Sequence, residues 1–234
     1  MTSPRPTGAG GRGRAAAAAS RVVALLRLAV RWEIMVWRSL ARWVARRPAG
    51  AGAGVQTFGY ARSATPLFWL FILVSAVEIP VAHALLPWRW AEVLSLALGL
   101  WGLLWMLGLL ASQHVHPHLV DGRGLRLRSG AHVDVALPWS AVRSVTTHRR
   151  DLPSSRTVQL TAGSPTAGSP TGAAAVLSLP SSSETRVDVR LVAPTEVRLP
   201  QGPTVVSEVR VHVDDPPAFV AAVRAHLGAT TPRP

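Results

Sequence analysis

Cysteine, lysine and asparagine are absent from this sequence of 234 residues, and tyrosine occurs only once. Without cysteine the chain has no disulfide bonds and no thiolate metal sites, and cysteine usage tells nothing about its redox compartment. All 25 basic residues are arginines, which together with the abundance of Ala, Gly and Pro is typical of a high-GC bacterial genome. Much of the net charge of +13 therefore reflects codon usage, and only the distribution of the arginines informs about function.

Catalytic motifs are also missing from the sequence. It contains no G-x-S-x-G, Walker-type or H-E-x-x-H pattern, and its serines lie in Ser/Pro/Gly-rich stretches. A G-x-G-x-x-G match at Gly8, Gly10 and Gly13 has no strand before it and no βαβ unit around it. Asp214 and Asp215 precede a helix, where carboxylates interact with the helix dipole. The sequence predicts a protein that is not an enzyme and binds no cofactor.

Two apolar runs of 21 residues each, at 66–86 and 91–111, lie close together in the chain. At 1.5 Å per residue, each is long enough to cross the ~30 Å hydrocarbon core of a bilayer. The connector PWRW permits only a tight hairpin, and its tryptophans suit a membrane interface. The pattern predicts a transmembrane hairpin over residues 65–111, with a buried soluble hairpin as the alternative.

The arginines indicate how this hairpin is oriented. Residues 1–64 carry eleven arginines and one acid, Glu33, whereas the hairpin tip has only Arg89 with Glu92 beside it. The positive-inside rule predicts cytoplasmic N- and C-termini for a multi-pass protein of the inner, plasma membrane. Because the basic residues lie beside the membrane and the aromatic residues lie in the spans, nucleic acid is not expected as a partner.

Residues 20–47 form a predicted amphipathic helix with one narrow cationic stripe. The stripe contains five arginines: Arg27, Arg31, Arg38, Arg42 and Arg46. Such a helix suits the membrane interface, with guanidinium groups on anionic lipids of the inner leaflet and tryptophans at headgroup depth. The alternative is a helix packed on the rest of the protein with its arginine face in solvent.

Four polar or helix-breaking residues interrupt the first span: Ser75, Glu78, Pro80 and His83. A charged carboxylate at this depth costs about 2.5–3.5 kcal/mol, so Glu78 is expected to be protonated, paired or facing a wet pocket. Ser75, Glu78 and Ala82 share a helix face that could meet small residues of the second span. Two interpretations stay open: a proton or ligand site, or a polar clamp that fixes hairpin packing or oligomerisation.

The stretch HVHPH is predicted to place His114, His116 and His118 on one face of an extended segment. Three imidazoles are potential zinc ligands, and Asp121 is close in the chain. Carboxylates and cysteines at a helpful spacing are missing, however, so we predict no metal and expect these histidines to line the membrane-proximal surface.

Alternating apolar residues predict about seven short strands in the C-terminal domain, residues 112–228. The stretch DDPPAFVAAVRAHL then predicts a helix with Asp215 as its N-cap and an apolar face toward the core. The predicted fold class is α+β: a helix hairpin plus a small antiparallel barrel or sandwich closed by this helix. Four segments are expected to lack regular structure: the disordered N-terminus 1–19, the linker 48–64, the loop 161–173 and the tail 229–234.

Several stretches, among them FGYARSATPLFW, SAVEIPVAHALLPW, GLRLRSG and DDPPAFV, carry a resemblance to known proteins. Over residues 20–228 the chain resembles membrane proteins of high-GC bacteria that have a pleckstrin-homology-like domain after a transmembrane hairpin. The resemblance implies a seven-stranded barrel capped by the last helix and used for binding. Lipid-binding members of the wider fold have basic residues in the loop between their first two strands. Here the corresponding turn has only Arg128, which does not favour phosphoinositide binding.

These observations predict a non-enzymatic membrane protein whose cytoplasmic domain is a scaffold that binds a protein partner or its own copies. One alternative is an accessory subunit or small transport component in which Glu78 handles a proton or a solute. Another is a lipid-sensing module.

Overall fold

The computed structural model describes residues 9–162 and 174–230 of the chain. Its four helices are α1 (Ala9–Val44), α2 (Thr65–Leu85), α3 (Arg89–Val115) and α4 (Pro216–Thr230). The predicted apolar helix pair is present as α2 and α3, and both are long and apolar enough to cross a membrane. The predictions for residues 1–8, for most of the loop 161–173 and for 231–234 fall outside the described residues.

Helix α1 is longer at its start and shorter at its end than predicted. It begins at Ala9 rather than at residue 20, because the alanine run at 15–19 is a strong helix former despite its low complexity. The helix ends in a Schellman motif. Arg46 adopts a positive φ of 53°, and the Arg47 N–H donates to the Arg42 carbonyl at 2.9 Å.

Nine strands form two sheets in the described part of the chain. They are β1 (Gln56–Phe58), β2 (His118–Asp121), β3 (Gly124–Ser129), β4 (Val133–Pro138), β5 (Val142–Asp151), β6 (Gln159–Thr161), β7 (Ala175–Leu179), β8 (Glu184–Leu199) and β9 (Gly202–Val211). The first sheet has the order β1-β2-β3-β4 and the second the order β5-β8-β9-β7-β6. The fold is therefore α+β, with a helix hairpin followed by a strand-rich domain.

Two features of the sheets differ from the prediction. Strand β7 pairs with β9 in parallel, whereas an entirely antiparallel domain was expected. Alternation along a strand shows which side chains point inward, but it does not reveal the direction of the neighbouring strand. The predicted linker 48–64 also contributes β1, which pairs with β2 from Gln56↔Val120 to Phe58↔His118. This segment is therefore part of the domain.

The core of the domain lies between the two sheets and is closed by α4. Along β4 the side chains alternate strictly between buried and exposed. The N-cap prediction for α4 is confirmed, since the Ala218 N–H donates to Asp215 Oδ1 at 3.1 Å. Phe219 is fully buried and meets the ring of Phe58 edge-on, with 5.2 Å between the ring centroids. The helix therefore uses its predicted apolar face to complete the core.

The C-terminal half of α1 packs against α3. Val36 lies directly on Gly108, and the rings of Trp43 and His114 are 6.1 Å apart. Because the contacts advance in the same direction along both helices, this part of α1 runs parallel to α3. The arrangement is the predicted alternative of a helix packed on the rest of the protein. Residues 20–31, by contrast, are exposed on every side.

Gly108→Leu tests this helix contact. A Cβ atom at Gly108 would overlap Val36 Cγ1 and approach the Val36 carbonyl oxygen to 3.0 Å, whereas nothing lies within 4 Å of a Cβ at Gly102. We expect Gly108→Leu to destabilise the chain by about 1–3 kcal/mol through overpacking. The matched control Gly102→Leu is expected to change little. Thermal unfolding of the detergent-solubilised chain measures both, and equal effects would contradict the packing.

Candidate functional site

The carboxylate of Glu33 on α1 accepts hydrogen bonds from three tryptophans, two of which lie on α3 and so join the two helices. It accepts hydrogen bonds from the indole N–H of Trp37 at 2.7 Å, of Trp101 at 3.1 Å and of Trp105 at 3.1 Å. Trp37 lies one turn after Glu33 on α1, and Trp101 and Trp105 are one turn apart on α3. The sequence prediction placed Trp37 at headgroup depth and gave Glu33 no role. The available signal was the single acid of the N-terminal 64 residues, four positions before a tryptophan.

A second face of α1 lines a cavity of about 400 Å³ with arginines. Arg31, Arg38 and Arg42 recur along this face, and the buried side chain of Ser39 lies between the last two. His116, directly after α3, and Ala131, in the turn between β3 and β4, close the other side. The predicted arginine stripe therefore faces the domain over part of its length.

The end of α1 borders a further cavity of about 560 Å³. Arg42 lines both cavities, and Arg46 and Arg47 join it here beside His114. The predicted arginine stripe did not include Arg47, so its place in this cationic surface was missed. Arg27, which the stripe prediction included, is exposed and lines neither cavity.

The helix hairpin contains a groove of about 800 Å³ between α2 and α3. The predicted meeting of small and polar residues occurs there, with these members in its lining: Ser75, Glu78, Ala82, Ser95, Gly99 and Gly102. The side chain of Ile79 packs directly on the backbone of Gly99, since a Cβ atom at Gly99 would lie 2.7 Å from Ile79 Cγ1. Glu78 itself is exposed, and none of the described residues donates a hydrogen bond to it.

His83 pairs across the hairpin instead of with Glu78. Its Nε2 atom lies 3.0 Å from Glu92 Oε1 on α3. Both residues lie in the turns of α2 and α3 next to the hairpin tip, so antiparallel packing brings them together. The sequence prediction assigned His83 no partner and so missed this pair. Pro80 lies within α2, which continues beyond it to residue 85.

The three histidines of HVHPH do not share one face, because α3 continues to Val115 and places the first of them in a helix. The Nδ1 atom of His114 lies 3.0 Å from the Leu110 carbonyl oxygen, and that of His116 lies 3.0 Å from the Ser112 carbonyl oxygen. His118 is buried in β2. Within residues 9–162 and 174–230, no group of three or more side chains is arranged to hold a metal ion.

His118 connects the first sheet to the end of the second. Its Nδ1 accepts the backbone N–H of Arg128 at 3.0 Å, and its Nε2–H donates to the His212 carbonyl at 3.0 Å. Both bonds require the neutral ring with the proton on Nε2. Burial lowers the pKa of His118 to about 4, and the ring of Tyr60 packs on it at 4.8 Å. His118 is therefore a neutral structural residue at pH 7.

Direct hydrogen bonds fix the helices to the domain. The Ala49 N–H donates to the Val115 carbonyl at 2.7 Å, and the Ala49 carbonyl accepts from Arg128 Nη1 at 2.7 Å. The Tyr60 hydroxyl accepts the Gly130 N–H at 2.6 Å, and burial raises the pKa of this hydroxyl. The chain after α1 is thus bonded both to the end of α3 and to β3.

The pKa of His118 generates a testable pH dependence. A neutral buried ring stabilises the fold above the ordinary pKa near 6.5, and this stability is lost as the pH falls from 6.5 toward 4. The shift corresponds to about 3 kcal/mol. Burial also lowers the pKa values of His116, His132 and His212, which contribute with the same sign.

We expect the stability of His118→Gln to depend less on pH than that of the wild type between pH 7 and 4.5. Exposed His148→Gln is the matched control and is expected to keep the wild-type dependence. Denaturation of the detergent-solubilised chain across this range measures the slopes. If His118→Gln and the wild type gave parallel curves, the buried neutral ring would be ruled out.

Comparison of the chain with protein-family models, with curated proteins and with solved structures finds no match. A function for this chain is therefore inferred from its own residues and their geometry.

Proposed function

We propose that this chain is a non-enzymatic, multi-pass protein of the plasma membrane whose cytoplasmic domain is a protein-interaction or scaffold module. In this proposal α2 and α3 span the bilayer, and the cytoplasmic side holds the domain together with the arginines at the end of α1, Arg42, Arg46 and Arg47. Many large apolar side chains on these two helices are exposed, which supports their contact with lipid. The acyl chains of the bilayer would cover these surfaces.

The attachment of the domain to the helices carries the proposal. Only two residues separate the end of α3 from the start of β2, and Ala49 bonds to both Val115 and Arg128. A domain attached in this way has a fixed orientation relative to the membrane. Such an orientation matters for a module that presents a binding surface beside the bilayer, whereas a domain acting in the bulk cytoplasm gains nothing from it.

The arrangement of the sheets supports a pleckstrin-homology-like domain. Two sheets enclose one core, and a C-terminal helix closes it, as in the fold that the sequence resembles. The nine described strands exceed the seven of that fold, and the parallel pair of β7 with β9 is a further difference. The resemblance implies a binding role for this domain.

Two single-cysteine variants test location and partner together, since the natural chain has no cysteine. Val205 is an exposed residue of β9, and Trp88 is an exposed residue at the hairpin tip. In right-side-out vesicles, we expect a membrane-impermeant maleimide to label Trp88→Cys alone. In inverted vesicles, we expect it to label Val205→Cys alone. The reverse pattern, or a chain released from membranes by alkaline washing, would contradict the proposed location.

The same cysteines then carry a thiol-attached photo-crosslinker in native membranes. We expect Val205→Cys to form discrete adducts with a protein or with a differently tagged second copy, and Trp88→Cys to form none of these adducts. If Val205→Cys formed no adduct beyond those formed by Trp88→Cys, the scaffold role would lose its support.

A second candidate function rests on the groove between α2 and α3. An exposed carboxylate, Glu78, lines an apolar groove together with Ser75 and Ser95. In hydrocarbon such a group needs a partner or water, so the groove supports an accessory or transport role in which Glu78 handles a proton or solute. Ser75 Oγ lies 3.9 Å from Met106 Sδ, which leaves its hydroxyl only a weak partner.

Glu78→Gln separates the two roles of this groove. The amide keeps the size and hydrogen-bonding capacity of the side chain but cannot exchange a proton. A transport role predicts normal assembly with the in vivo activity lost, whereas a packing clamp predicts altered oligomer size. Crosslinked oligomer size and growth complementation are the measurements, and unchanged values of both would exclude the transport role. Glu196→Gln, at an exposed position of β8, is the matched control.

A further inference from the structure

We infer that the cavity between α1 and the turn from β3 to β4 is a binding site for a phosphate group. Arg31, Arg38 and Arg42 would hold the phosphate, and the neighbouring His116 closes the cavity. An anionic phospholipid headgroup and free phosphate share this chemistry. The lipid source rests on the proposed membrane location, whereas the phosphate chemistry does not.

The cavity collects three guanidinium groups on one helix face. Arg38 and Arg42 are one turn apart, and Arg31 lies two turns before Arg38, so the three span about 16 Å along the axis. Guanidinium groups donate in a planar fork that matches phosphate oxygens, so Arg38 and Arg42, one turn apart, would share one phosphate, and Arg31 would reach it along the cavity with its long side chain. The spacing places all three arginines toward the same cavity, as their common lining shows.

The positive charge of this cavity is not neutralised by the protein. Among the described residues, no carboxylate lies within ion-pair distance of Arg31, Arg38 or Arg42. The nearby Asp134 is engaged by Arg126 at 2.5 Å and by Arg128 at 3.3 Å. Because arginines near one another repel, an anionic ligand is the partner that this surface lacks.

The lining also contains an apolar part. Ile34 and Met35 lie beside the arginines in the same cavity, and exposed Leu28 lies two turns before Met35 on the same helix face. A phospholipid presents a phosphate joined to an acyl region, so both parts of the lining would be used. Free phosphate would use the arginines alone, and this difference separates the two sources.

A ligand bound in the cavity would contact both α1 and the domain. Ala131 belongs to the lining, and the next residue, His132, packs its ring 5.3 Å from the ring of Trp32 on α1. A phosphate bound here would add bonds at the contact between helix and domain. Ligand binding is therefore expected to stabilise the whole chain against unfolding.

The test measures the melting temperature of the full chain in a neutral detergent with three probes. They are dioctanoyl phosphatidylglycerol, dioctanoyl phosphatidylcholine with the same acyl chains, and inorganic phosphate. The variant is Arg38→Gln with Arg42→Gln, and the charge-matched control is Arg21→Gln with Arg143→Gln, two exposed arginines outside the cavity. The melting temperature without probe and the elution volume report whether each variant is folded.

We expect phosphatidylglycerol to raise the melting temperature of the wild type and of the control, and phosphatidylcholine to have little effect. The apparent affinity of the cavity variant is expected to fall about tenfold or more. If inorganic phosphate acts at concentrations as low as the lipid, the ligand is free phosphate and the site is still supported. Equal responses of the cavity variant and the wild type to phosphatidylglycerol and to inorganic phosphate overturn the inference.

A cavity variant that fails to fold is replaced by Arg31→Gln, which removes one guanidinium from the exposed part of the helix. The same loss of response is expected from it, in smaller measure. These measurements are made in detergent without a bilayer. A negative result is therefore independent of the vesicle labelling at Val205→Cys and Trp88→Cys, which tests the membrane location. If the chain has the expected orientation in the membrane but its melting temperature does not respond to the phosphate probes, the phosphate site is refuted and the proposed function is not.

Discussion

Three indole N–H groups converge on the carboxylate of Glu33, and the position of α1 depends on this interaction. Beside it, the absence of a side chain at Gly108 lets Val36 approach the backbone of α3. Together these contacts fix the C-terminal half of α1 along α3. The segment after α1 consequently begins next to the end of α3, where the Ala49 N–H donates to the Val115 carbonyl. Further along this segment, β1 pairs with β2 of the first sheet.

The polar residues of the first apolar helix have separate surroundings. His83 is paired with Glu92 near the hairpin tip, whereas Glu78 faces a groove lined by small residues. The groove is where a proton, a solute or another helix would find a carboxylate. The tip pair is explained by hairpin packing alone. One apolar helix thus contains one polar residue that pairs within the hairpin through its Nε2 atom and another that the hairpin leaves available.

Periodicity was sufficient to predict the apolar helix pair, the strand-rich domain and the capped last helix. In each case, one residue's environment follows from its neighbours in the same element: Asp215 caps the turn beside it, and Phe219 points inward with its helix face. Contacts between distant segments could not be predicted in this way. Glu33 with Trp101 and His118 with His212 depend on how whole elements are placed, which local sequence does not encode.

The histidine stretch shows the same limit in physical terms. The stretch HVHPH was predicted to be extended, yet α3 continues to Val115 and β2 begins only at His118. His118 is fully buried because β1, recruited from the predicted linker, covers it with Tyr60 close behind. Strand β1 was not predicted because a strand of three residues is too short to show a clear alternation of apolar and polar side chains.

The most direct test of this account is the contact of α1 with the domain in native membranes. Trp32→Cys and His132→Cys place two thiols where the structure has rings 5.3 Å apart. The account predicts efficient intramolecular crosslinking of this pair by a short bifunctional thiol reagent. It also predicts little crosslinking of the control pair Arg21→Cys and His132→Cys. Equal yields from the two pairs, or none from either, would contradict the placement of α1 between α3 and the domain.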